Sequence, residues 1–302
     1  MTILIRLRKF LLSPPIRGGR MGLLLLILSG CVTDTIYNTD HPDRARITIN
    51  TTWNDIGSEV GKPSSYIVQT TGTQEEATTD KVTLSTLFNP GTYEFLLYNH
   101  AAAITVDNGT ATVQTVTTPA DKTGSYIESL PGWFFSGTIN TTLEADRDYQ
   151  LPATMHQQVR QLTLILKPEG SAREEITAIT ASLSGVAAEW DLTKNEPAGE
   201  AAYVEPVFNR QADGNWSAVV RLVGISGTTQ QLSGAVTVAG SAATISFEGN
   251  VTNSLADFNR DKKNPLTLNT VITVEPDPGT EAGFTATIKD WEKGDSGTGV
   301  AN

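Results

Sequence analysis

The sequence predicts an all-β protein built from two tandem β-sandwich domains. Three observations carry that expectation. Runs rich in Thr, Val, Ile and aromatic residues recur from Ala45 onward, broken by Gly, Pro, Asn and Asp. No long stretch shows the 3.6-residue apolar period of a helix. Turn signals such as Asp107-Asn108-Gly109-Thr110 sit between short apolar runs, where Asn and Gly tolerate positive φ. Many short strands at regular spacing are the pattern of sandwiches.

The elements follow in order. Arg46 to Trp53 alternates, with Ile47, Ile49, Thr51 and Trp53 on one face. Ser65 to Thr71 and Lys81 to Leu87 are the next strands. Tyr93 to Tyr98 is started by the turn Asn89-Pro90-Gly91; its run Phe95-Leu96-Leu97-Tyr98 is strand-sized and too short to span a bilayer. Ile104–Val106 and Ala111–Val113 flank the Asn-Gly hairpin, and Trp133 to Leu143 closes the first half. The domain boundary is expected near Leu151-Pro152-Ala153, giving domains 45–152 and 153–302. The second half opens with Val159 to Lys167, ended by Pro168-Glu169-Gly170. A short helix is expected at Ser171–Glu175. Ile176 to Val186 follows. Tyr203–Asn209 and Trp216–Val223 surround the turn Ala212–Asn215, and Gln231–Val238 and Ala243–Phe247 surround Ala239-Gly240-Ser241. Leu266–Val274 and Phe284–Trp291 finish the fold, and the polar tail Glu292–Asn302 is expected to fray.

Little in the chain points to chemistry. The three histidines, His41, His100 and His156, lie far apart, without Cys or His at metal-ligand spacing. No Gly-x-Ser-x-Gly elbow, phosphate loop or HExxH pattern occurs. Asp107-Asn108-Gly109 and Asp213-Gly214-Asn215 lack the carboxylate series of a calcium loop and read as turns. The adjacent acids Glu174-Glu175 would point to opposite faces of a strand, a poor start for a two-carboxylate glycosidase. No enzyme activity, metal or cofactor is therefore expected. Five tryptophans (Trp53, Trp133, Trp190, Trp216, Trp291), with Phe134 and Phe135, allow a second reading as a glycan-stacking platform. Tryptophans in a sandwich belong more often to its core.

The N-terminus is the most specific feature. Arg6, Arg8, Lys9, Arg17 and Arg20 precede the apolar run Leu23–Leu28, and Ser29-Gly30 leads into Cys31, the only cysteine of the chain. The run is signal-peptide sized. Leu28-Ser29-Gly30-Cys31 resembles the lipobox of bacterial lipoproteins, which implies cleavage between Gly30 and Cys31 and a lipid on the Cys31 thiol. Segment 1–30 would then be a signal peptide and 31–44 a lipidated tether, with Val32–Asp43 equally open to reading as a first irregular loop packed on the domain. Cleavage leaves 272 residues, enough for two domains with their own cores. Losing five basic residues takes the net charge from −11 to −16, which repels nucleic acid and anionic head groups. Membrane association would rest on the lipid.

Further motifs resemble the fimbrillin superfamily and its fimbrial anchor lipoproteins from Gram-negative gut and oral anaerobes. They are the opening strand Arg46–Trp53, the strand Asn89–Asn99 with its Tyr93 and Tyr98-Asn99, the pair Val159–Leu164 and Ile176–Val186, and the last strand Phe284–Trp291. The resemblance implies two transthyretin-like, Greek-key sandwiches, a lipid anchor in the outer membrane, and a fimbrial anchor or accessory role. It also implies partner fimbrial subunits joined by β-strand addition, in which unpaired backbone groups at a sheet edge accept a neighbour's strand. The chain stops soon after Trp291 without a long donor extension, which suits an anchor or terminal subunit. Pilins of this superfamily can be processed just before the first strand. That cleavage is not carried over to Arg44 and Arg46, which read as solvated flanking residues.

Overall fold

The structure, a computed structural model, describes residues 37–117, 124–241 and 243–294. Segment 1–30, Cys31 and the rest of 31–36, and the tail from 295, lie outside the described residues.

The first eleven strands are β1 (Ala45–Asp55), β2 (Tyr66–Thr70), β3 (Thr73–Ala77), β4 (Lys81–Thr83), β5 (Gly91–Tyr98), β6 (Ile104–Asp107), β7 (Thr110–Val113), β8 (Thr115–Thr117), β9 (Ser125–Ile127), β10 (Phe135–Leu143) and β11 (Arg147–Gln157). Seven of them form one sheet in the order β3-β2-β5-β10-β11-β1-β4. Its outermost strands, β3 and β4, are consecutive in the chain, so the sheet curls back on itself. Glu75 of β3 ties the curl: its carboxylate accepts from Ser85 N at 2.9 Å and Thr86 N at 3.2 Å. β1 and β11 run parallel, from Ala45 opposite Arg147 to Thr52 opposite Thr154. Gly137 permits the close approach of β10 to β11, since a Cβ there would lie 2.5 Å from Thr154 O.

The run Phe95–Tyr98 is apolar throughout because β5 is covered on both faces. Phe95 and Leu97 enter the core of the first sheet with Ile47, Ile49 and Met155, whereas Leu96 and Tyr98 enter the core of the second half. β2 does the same, with Tyr66 and Val68 on one side and Ile67 on the other. Period-two geometry turns continuous apolarity into two contacts.

The remaining strands are β12 (Arg160–Glu169), β13 (Ile176–Asp191), β14 (Glu196–Val204), β15 (Asn209–Arg210), β16 (Trp216–Leu222), β17 (Gln231–Val238), β18 (Ile245–Asn250), β19 (Leu266–Pro276), β20 (Phe284–Ile288) and β21 (Glu292–Lys293). They build two sheets that share one core. One has the order β15-β16-β12-β19-β20, with β21 also on β19. The other runs β18-β17-β13-β14-β9-β8, with β7 on β13 and β6 on β7. Leu162, Leu164 and Leu166 of β12 face Leu183 and Val236 of the opposite sheet across this core.

The sandwich-like all-β architecture is as expected, and two details differ. The boundary expected near Leu151–Ala153 falls inside β11, where Ala153 is 4 % and Met155 0 % exposed. Pro152 misled because proline usually interrupts strands. Here β10 pairs with β11 only at Gln157 and His156, so Pro152 faces no ladder on that side. Second, β6 to β9 belong by chain order to the first half but join a sheet of the second. β13 is long enough to explain it. Its Ile176–Leu183 portion pairs with β17, and Glu189–Asp191 would lack a neighbour on that side without β7. The β6–β7 hairpin forms as its turn predicts, with Asn108 at φ 46° and Gly109 at φ 78°. The expected helix near Glu175 is a single 3-10 turn, Arg173–Glu175.

Candidate tethering site

The N-terminal segment is bound to the body well before β1 begins. Asp146, in the β10–β11 turn, takes the left-handed conformation at φ 58° and turns its carboxylate toward this segment. Oδ2 accepts from Asn38 N at 2.7 Å and Asn38 Nδ2 at 2.9 Å; Oδ1 accepts from Thr39 N at 2.7 Å and Thr39 Oγ1 at 2.9 Å. These bonds, led by the Asn38 backbone N–H, hold the Asp146 carboxyl below the usual carboxylate range. The backbone closes the loop, as Asp146 N donates to Arg44 O at 2.9 Å and Arg44 N to His41 O at 3.0 Å.

His41 lies under this loop with its side chain only 3 % exposed. Its Nδ1 is 2.9 Å from Arg44 O and its Nε2 is 3.0 Å from Asp148 Oδ1. Arg46 reaches both oxygens of Asp40, at 3.0 and 3.1 Å. Residues 38–44 are thus docked as a loop packed on the body; the Arg46 side chain is engaged by Asp40, whereas the Arg44 side chain is exposed, as expected of a flanking residue.

From here the chain enters β1, whose two flanks are both occupied. One carries β11. The other carries β4 and the chain beyond it, through Leu84 N to Ile47 O at 2.9 Å and the Ala45–Phe88 pair at 2.8 and 2.9 Å. Among the described residues, β3 pairs only with β2, so its outer backbone edge has no ladder partner. Gln74, Glu75 and Glu76 on it guard against unspecific pairing.

The structure places the other sequence-predicted residues apart. His100 is exposed after β5. His156 lies on β11, its Nδ1 2.6 Å from Asp55 Oδ2, and Lys263 Nζ is 3.3 Å from Asp55 Oδ1. These line a polar groove of about 690 Å³ between the ends of β10 and β11 and the loop before β19. Its polar groups are largely spent on each other. Gln157 Nε2 donates to Val159 O and Lys262 O, both at 2.8 Å, and its Oε1 accepts from Gly57 N at 2.9 Å. The groove is the joint that fastens the second half to β11. Among the described residues, no group of three or more His, Cys, Asp or Glu is placed to hold a metal ion.

The tryptophans do not form a platform. Trp190, Trp216 and Trp291 are buried at 1, 6 and 8 % exposure. Trp53 is half-buried against Tyr66 and Phe135, and half-buried Trp133 lies beneath Arg221. The stacking reading therefore loses its premise. Sequence reasoning missed Asp146 and Asp148, whose partners lie about a hundred positions away; an Asp in a turn was the one local signal.

A family model for the fimbrillin-A associated anchor proteins Mfa1 and Mfa2 matches residues 39–296. The chain belongs to this family. The family is one of fimbria-associated anchor proteins. Solved structures agree on the fold. A candidate adhesin from Bacteroides ovatus superposes with a TM-score of 0.57 at 11 % identity, covering 80 % of this chain and 91 % of that one. A second, also from Bacteroides ovatus, gives 0.55 at 10 % identity, with 70 % and 84 % covered. The fimbrial anchor protein Mfa2 from Porphyromonas gingivalis gives 0.50 at 10 % identity, with 82 % and 98 % covered. No curated protein matches the chain by sequence.

Proposed function

We propose that this protein is held in the outer membrane by a lipid on Cys31 and serves a fimbria as its anchor or accessory subunit. The observation that carries the reading is the match to the anchor family across residues 39–296. The lipobox-like Leu28-Ser29-Gly30-Cys31 supplies the attachment, and the docked segment after it gives the attachment a fixed exit from the body. Fimbrial subunits join by β-strand addition at a free edge. β3, whose outer edge has no ladder partner among the described residues, is one candidate acceptor in the first sheet; β1 is not, since both its flanks are filled. The body is read as two transthyretin-like sandwiches.

The test is fractionation of cells expressing the wild-type protein or Cys31→Ala. The wild type should sediment with the outer membrane and co-purify with a polymeric β-rich subunit. Cys31→Ala should fold and appear in soluble fractions. A Cys31→Ala chain that stays membrane-bound after processing would overturn lipid anchoring. Recovery of an outer-membrane transporter alone would overturn the fimbrial role.

A further inference from the structure

His41 has an acceptor at each ring nitrogen. Arg44 O, 2.9 Å from Nδ1, is a carbonyl and can only accept. Asp148 Oδ1, 3.0 Å from Nε2, is a carboxylate oxygen, and Asp40 Oδ1 lies behind it at 3.7 Å. A neutral imidazole has one N–H and satisfies one of these acceptors; only the imidazolium satisfies both. Thr39 Oγ1, 3.1 Å from Nδ1, gives its own proton to Asp146 and so adds a third acceptor. The charged groups around the ring are Asp40 and Asp148, with Arg46 beyond them at 3.0 and 3.9 Å from their oxygens. The adjoining turn adds Asp146 and the Glu144–Arg147 ion pair.

We propose that Asn38–Arg44 is a proton-dependent latch, in which the His41 imidazolium and the Asp146 carboxylate fix where the N-terminal tether leaves the body. Both are positioning residues, and the purpose of the latch rests on the anchoring reading. The Arg44 carbonyl, then Asp148, raise the His41 pKa against the opposing effect of burial. A raised folded-state pKa makes the His41 contribution complete below the ordinary histidine value of about 6.5. It is lost as pH rises through the folded value. Asp146 behaves oppositely: its lowered pKa gives stability above the ordinary carboxylate range, lost as pH falls through the folded value. The latch is closed between the ordinary carboxylate range and the ordinary histidine value, and it opens as pH rises through the folded His41 value or falls through the folded Asp146 value.

The experiment uses the purified full chain in detergent. Imidazole ¹⁵N shifts report whether both His41 nitrogens carry protons. Trypsin cleavage after Arg44, scaled to a small peptide substrate in the same tube, reports whether the latch is shut. Both nitrogens should be protonated at pH 6, and scaled cleavage should rise about tenfold as His41 titrates on the alkaline side. His41→Gln should be cut at the fast rate at every pH. Asp148→Asn should move the rise to lower pH, and it serves alone if His41→Gln fails to fold. A neutral His41 at pH 6, or scaled cleavage that stays flat while His41 titrates, would overturn the latch. Neither readout depends on lipid attachment, so failure here and failure of Cys31 anchoring are separate results.

Discussion

Lys262 places its ammonium nitrogen 3.1 Å from the centre of the Trp190 ring and 3.1 Å from Gln158 Oε1, with the residue only 7 % exposed. Among the described residues no carboxylate pairs with it, and burial holds its pKa well below the ordinary lysine value. Between that lowered value and about 10.5 the unfolded chain binds a proton that the folded chain does not, so folding stability rises with pH across this window. Lys262→Met keeps the volume and removes the buried amine. It should leave stability unchanged or raise it by about 1 kcal/mol near neutrality. The gain should fade as pH approaches about 10.5, as read by denaturant midpoints at several pH values. Arg160 should behave differently. It gives its hydrogen bonds to Asn264 O at 2.7 Å, Phe258 O at 2.9 Å and Asp257 O at 3.3 Å, all in the loop before β19. Arg160→Ala leaves Asn264 O and Phe258 O without the donor they have here, while Asp257 O keeps Arg260 N at 3.2 Å, and should cost about 3 kcal/mol by the same measurement. Neither residue was singled out by the sequence. Their partners are backbone and ring atoms roughly seventy to a hundred positions away.

At the scale of elements, legibility followed how local the cause was. The β6–β7 hairpin was readable because Asn108 and Gly109 set its turn directly. β5 was readable as a strand but not as one buried on both faces, since that depends on what packs above and below it. β11 was not readable, because Pro152 argues against a strand unless one flank is known to be empty. β1 was readable from its alternation, and its side chains show how strongly it is held. Ile47 and Ile49 are both 0 % exposed, and the strand has backbone partners along both flanks. Ile49→Ala should therefore cost about 3 kcal/mol through lost burial and a residual cavity. Thr52→Ala, at an exposed position of the same strand, should stay within about 0.5 kcal/mol. Denaturant unfolding of the two variants side by side checks the contrast. Equal effects would mean that β1 is not part of the cooperative core.

At the scale of the whole molecule, the halves suggested by chain order are not independent. β7 lies on β13 from Thr110 opposite Asp191 to Thr112 opposite Glu189, and β9 lies parallel to β14 at Tyr126 and Ile127. Ile67, Leu96, Tyr98 and Phe134, all from the first half, are buried in the core of the second. Gln157 and Arg160 then fasten the link between β11 and β12 to the loop before β19. A cut at 152/153 would split β11, strip β13 and β14 of these neighbours, and expose the outward faces of β2 and β5 to water. Fragment 153–302 alone should lack cooperative thermal unfolding and bind a hydrophobic dye, while the intact chain unfolds in one transition. Mixing it with fragment 45–152 should restore part of the ordered signal, because the missing strands return with their apolar faces. If fragment 153–302 alone gave a sharp transition and dispersed amide resonances, β6 to β9 would be an appendage, and the second half a domain able to fold by itself.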